Sequence, residues 1–168
     1  MASEGPADRA GRASDPTYDG GMDDDAMTTP PPEPAAEPAA ELTDAQLAFL
    51  TSVFDLARGG ETGTVVAYLD RGLPVNLTNS KGDTLLILAA YHEHPDLVRS
   101  LLERGGDTAR INERAQTALV AAVFRDQGEI VADLLAAGAD PQLGSPNAHA
   151  VADYFALPRM SALLSSDG

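Results

Sequence analysis

Apolar and polar positions between residues 81 and 140 recur in a fixed order: a short apolar block, a polar corner, an apolar stripe and a glycine-bearing loop. In "TLLILAAYHEHPDLVRSLLERGGD" (84–107), Thr84 is a good N-cap and predicts a short helix over about 85–91. His94 precedes Pro95, and proline is favoured at the first helical position, where its missing N–H costs nothing. A second helix follows over about 95–104, with Leu97, Val98, Leu101 and Leu102 on one stripe. Gly105 stands where a C′ glycine takes positive φ. Alanines 89 and 90 let neighbouring helices approach closely.

The same order returns 33 residues later. "KGDTLLILAAYHEHPDLVRSLLERGGD" (81–107) lies over "RAQTALVAAVFRDQGEIVADLLAAGAD" (114–140). Thr84 meets Thr117, Ala89 meets Ala122, Leu101-Leu102 meets Leu134-Leu135, and Gly105 meets Gly138. A fixed period of this length marks a helical repeat whose units bury their apolar faces only by stacking. Upstream, "LTDAQLAFLTSVFDLARGG" opens on a capping-box pattern, Thr43-x-x-Gln46, and puts Leu47, Leu50, Val53, Phe54 and Ala57 on one helical face. "TVVAYLDRGLPVN" supplies its partner helix, with Leu69 and Gly72 in register with Leu102 and Gly105. Downstream, "HAVADYFALPRMSALL" reads as a closing hairpin whose Leu163-Leu164 arrives four residues early, through a shortened turn. The expected units are about 43–78, 79–111, 112–144 and 145–165, the outer two being caps. The fold class is therefore all-α, a helical solenoid over 42–165.

These segments resemble the ankyrin repeat, whose pattern is roughly G-x-T-P-L-H-x-A-A, then G-H-x-E-I-V, then L-L-x-x-G-A-D. The matching stretches here are "GDTLLILAA", "EHPDLV" and "LLERGGD", then "AQTALVAA", "DQGEIV" and "LLAAGAD". The Pro and His of T-P-L-H are Leu85 and Ile87 in one unit and Ala118 and Val120 in the next, which removes a Thr–His hydrogen bond typical of the family. The resemblance covers about 43–165 and implies a non-catalytic protein-interaction module binding a partner protein on its concave face.

Charge adds a second feature. The formal net charge is −15, with ten acids and two arginines in residues 1–41. That segment, with its "TTPPPEPAAEPAAE", has little to bury and is expected to be a disordered acidic tail, as are the end residues 166–168. A basic tract on a partner would engage the tail with salt-sensitive affinity. Met22 and Met27 offer alternative translation starts. No basic patch exists to displace counterions, so neither nucleic acid nor an anionic membrane is an expected partner. The chain has no cysteine, no apolar signal segment, and a longest apolar run of "LLILAA", far short of a membrane span. These features suggest a cytoplasmic monomer. An Ala- and Arg-rich composition with a single lysine suggests a GC-rich, bacterial genome.

Candidate chemistry is sparse. Phosphate-cradling loops, nucleophile elbows and His-Glu-x-x-His are absent. The triplet His92-Glu93-His94 raises the alternative of a small metal-binding enzyme or sensor, with Asp96 or His149 as further ligands. Alternate residues at a helix end point in different directions, and zinc wants three or four convergent ligands. The repeat alignment makes the triplet a helix–turn–helix corner, and no cofactor is expected. A ligand-binding regulatory protein is a further alternative, but it needs a closed pocket.

The resemblance places exposed partner-binding positions at Ser80, Lys81, Asp83, Tyr91 and His92, and one unit later at Glu113, Arg114, Gln116, Phe124 and Arg125, with Ile111 and Gly144 closing the loops. Arg58, Tyr91, Phe124 and Leu157 are each 33 apart and should stack in one row. Aromatics and arginine are typical interface anchors. Tyr91 and Phe124 could also pack on each other across the seam between units.

Overall fold

The computed structural model describes residues 41–166; the acidic tail up to residue 40 and the last two residues lie outside the described residues. The described residues from Asp44 onwards form one compact unit. That unit holds eight helices: α1 (Asp44–Gly59), α2 (Thr62–Asp70), α3 (Leu85–Tyr91), α4 (Pro95–Leu102), α5 (Ala118–Phe124), α6 (Gly128–Ala136), α7 (Ala148–Tyr154) and α8 (Pro158–Ser166). No named strand occurs among the described residues; a single antiparallel bridge joins Thr78 to Thr84. Ser166, expected in the free end, closes α8.

Helices pair in sequence as four hairpins: α1 with α2, α3 with α4, α5 with α6, and α7 with α8. An inner row runs α1–α3–α5–α7 and an outer row α2–α4–α6–α8, each helix touching its predecessor in the row. This is an ankyrin-type solenoid. The core is continuous from Val53 to Leu164 and is built mainly of Ala, Leu, Ile and Val. α3 and α5 are buried along their lengths except at their last residues, because inner-row neighbours flank both sides. α4 and α6 bury one stripe each: Leu97, Val98 and Leu101, then Ile130, Val131, Leu134 and Leu135. Each fully buried side chain of this kind contributes about 1.5–3 kcal/mol by leaving water.

Local signals explain the helix ends. Thr84 Oγ1 accepts a hydrogen bond from Ile87 N and Thr117 Oγ1 from Val120 N, both at 3.1 Å; Asn147 Oδ1 does the same for Ala150 N at 2.9 Å. The N-caps therefore survive the loss of the family's Pro and His, whose places Leu85, Ile87, Ala118 and Val120 fill with buried apolar side chains. Each inner helix ends on one left-handed residue: Gly60 (φ 74°), Glu93 (66°), Asp126 (57°) and Ala156 (54°). The next amide reaches back to the helix, as in His94 N to Ala89 O and Gln127 N to Ala122 O, both 2.9 Å. This is the C-terminal closure that a left-handed residue permits.

The last hairpin departs from the expected register. Asn147 caps α7 as Thr117 caps α5, and Leu164 takes the buried place of Leu134, so the offset is 30 rather than 33. The hairpin thus comes three residues early, and Leu164 alone, not the Leu163-Leu164 pair, matches the Leu134-Leu135 pair. The missing residues come from the loop: the Asn112–Gln116 finger before α5 has no full equivalent before α7, where Ser145 N simply bonds Ala115 O at 2.9 Å.

Candidate functional site: the concave face

The loops before α3 and α5 form two fingers of the same construction. Asn79 Oδ1 accepts hydrogen bonds from Lys81 N (2.8 Å) and Asp83 N (3.0 Å), and Asn112 Oδ1 from Arg114 N and Gln116 N (both 2.9 Å). An Asn side chain that bonds the backbone two and four residues on fixes a tight tip. The tips carry Lys81 and Arg114, both exposed. Glu113 N bonds Lys81 O at 3.0 Å, so the fingers are tied side by side and the two cations issue from adjacent tips.

Between the fingers and the inner helices lies a concavity of about 220 Å³, lined by Arg58, Lys81, Tyr91, His92, Arg114 and Gln116 over a floor of Ile87, Leu88, Asp83 and Asn112. Arg58 pairs with Asp55 at 2.5 Å. Lys81 and Arg114 have no ion pair among the described residues, whereas on the outer row Arg99 is held by Asp96, Asp133 and Glu129, and Arg104 by Asp70. Burial lowers the His92 pKa below its ordinary value, and the positive charges of His94, Arg58 and Arg125 push it further down against Glu93.

Asp83 corrects the expected exposed set. It is only 6% exposed, and its carboxylate accepts from Asn112 Nδ2 at 2.7 Å and Asn79 Nδ2 at 3.2 Å. A carboxylate so placed braces the fingers, each of its oxygens accepting from the Asn of one finger. Ser80, Ile111 and Glu113 are exposed but stand outside the concavity's lining. Arg125 sits beside it, 5.4 Å over the Tyr91 ring and 3.5 Å from Glu93.

The two middle rungs of the expected row, Tyr91 and Phe124, stack on each other, and the fourth is changed. Tyr91 and Phe124 stack at 6.1 Å with planes 12° apart; His92 meets Tyr91 edge-on at 5.3 Å. Phe124 then meets Phe155 edge-on at 5.4 Å, and Phe155 meets Tyr154 at 5.0 Å. Leu157, the expected rung, instead packs half-buried against the core at the corner before α8. The register of 30 puts Tyr154 in the place of Phe124, so a period held at 33 hid it. Packing across the seam does not remove the row from solvent: Phe124 is 41% exposed, Phe155 49% and Tyr154 82%. With Val120, Pro146, Ala150 and Val151, these rings line an apolar cleft of about 390 Å³, and Gln116 belongs to both clefts.

The His92-Glu93-His94 triplet is a corner. His94 Nε2 lies 2.7 Å from Arg58 O, and its ring covers Gly60, where a Cβ would come within 2.5 Å of Nδ1. Glu93 turns to Gln127, whose Nε2 donates to it at 2.9 Å. No group of three or more His, Asp or Glu side chains converges among the described residues.

A family model of three ankyrin repeats matches residues 54–144. The chain belongs to the ankyrin repeat family. An ankyrin repeat protein of Pseudomonas aeruginosa is 48% identical over 62 residues, 37% of this chain and 36% of that protein. The match thus spans about a third of that curated relative's length. Ankyrin repeats generally mediate protein–protein contacts, and no helix among the described residues is long and apolar enough to cross a membrane.

Proposed function

We propose that this ankyrin repeat protein is a non-catalytic interaction module that binds a partner protein on its concave face. The observation that carries the reading is the run of rings from His92 to Tyr154, exposed apart from the half-buried Tyr91, along one edge of that face beside Lys81, Arg114 and Arg125. Exposed aromatics bordered by cations are the composition of interface hot spots. The groups that meet there supply no acid–base pair: the single lining carboxylate, Asp83, is already bonded to two amides. A bacterial, cytoplasmic monomer whose partner is a protein rather than nucleic acid fits this surface and the acidic balance of the chain.

Affinity capture from cells that encode the protein, followed by mass spectrometry, tests the reading. Wild-type bait should retain a protein that Tyr91→Ala and Phe124→Ala baits lose. Equal recovery by both variants would remove the concave row from the account.

A further inference from the structure

The two clefts of the concave face adjoin through Gln116 and differ in chemistry. One presents Lys81 and Arg114 from adjacent finger tips, with Arg58 at its inner end. Its one lining carboxylate, Asp83, is held by two amides and forms no ion pair with Lys81 or Arg114, while Arg58 is paired with Asp55. The other cleft is walled by Phe124, Val151, Tyr154 and Phe155 and carries no acid or base.

Resting on the reading of this face as a partner surface, we propose that it takes a partner-protein segment in which a carboxylate side chain lies beside a bulky apolar one. The carboxylate sits between Lys81 and Arg114, and the apolar side chain against Phe124, Tyr154 and Phe155. Charge complementarity selects the acid, because an ammonium or guanidinium there would meet like charge. The apolar cleft selects against a bare phosphate, which would satisfy the cations and leave the rings wet. A nucleic-acid strand brings a charge at every nucleotide, more than the few cations of this cleft can balance. A short segment with one or two carboxylates meets the positive cleft and little else.

Random-peptide display against the full 168-residue chain tests this, with enriched peptides resynthesised and titrated by fluorescence anisotropy. Enriched peptides should carry Asp or Glu close to Phe, Leu or Trp. Lys81→Glu and Arg114→Glu should each weaken binding about tenfold in low salt and less in high salt, with Lys81→Arg restoring it. Tyr154→Ala should weaken it about tenfold with little salt dependence. Arg71→Glu, the same charge change at an exposed position outside the face, should stay within about twofold. Thermal unfolding of each variant, and Lys81→Gln beside Lys81→Glu, separates lost contact from lost fold. Enriched peptides that are basic, or that lack acids, overturn the proposal; if Tyr91→Ala and Phe124→Ala still abolish their binding, the concave reading survives without it. Peptides indifferent to all these variants overturn both. A selection that enriches nothing overturns the linear acidic segment alone.

Discussion

Asn112 ties the two fingers of the concave face together. It accepts two backbone amides of its own finger and donates to Asp83 of the preceding one. Asn112→Ala would strand these partners in a nearly dry site and should cost about 2–3 kcal/mol in urea unfolding. Phe124→Ala, at 41% exposure, should cost no more than about 1 kcal/mol, the range of a surface change, while weakening partner binding. The contrast separates scaffold from contact. His92 gives a pH test. Its folded pKa is below the ordinary 6.5, so the unfolded chain binds the proton more readily and stability falls as pH drops through that value. Unfolding from pH 7.5 to about 5.5 should show wild type losing stability relative to His92→Gln. At this scale the sequence was partly legible. Tyr91, Phe124, Lys81 and Arg114 stand out because they break an otherwise aliphatic or turn-like pattern. Asp83 does not, because nothing in a linear pattern says that an Asn 29 residues away will cover a carboxylate.

Helices and turns were the most readable level. Thr84 and Thr117 cap where a hydroxyl before an apolar block should, and α3 spans the expected 85–91. α4 ends at Leu102, two residues short of the expected 104, because Gly105 N and Gly106 N turn back to the carbonyls of Leu102 and Leu101. The left-handed residue closing each inner helix was less readable, since only one of the four is glycine. That difference makes a prediction. Gly60→Ala should destabilise by about 2 kcal/mol or more, from the left-handed backbone and the His94 ring together. Ala156→Gly, at φ 54°, should instead be neutral or stabilise by up to about 1 kcal/mol, as relief of strain competes with added unfolded-chain freedom. Thermal unfolding of the two variants would compare them. The closing hairpin was misplaced for a related reason: a period inferred from two strong units does not see a loop shortened in a third.

The described residues form stacked hairpins that share one core, and the proposed binding face lies where neighbouring units meet. Lys81 and Arg114 come from successive fingers, and the apolar cleft needs α5 and α7 together. Deleting residues 145–168 would uncover the α5 and α6 surfaces that α7 and α8 cover, so it should both lower stability by several kcal/mol and remove the apolar cleft. The repeat period reveals this architecture in the sequence, but the juxtaposition of charge and rings follows from stacking, which the period alone does not display. Hydrogen–deuterium exchange of the full chain, free and with the captured partner, tests the central claim most directly. The account predicts protection in the two fingers, 79–83 and 112–116, and at the inner-helix ends carrying Tyr91, Phe124 and Tyr154, with the outer helices α4 and α6 unchanged. Protection confined to α4 and α6 would place the partner on the opposite side and contradict it.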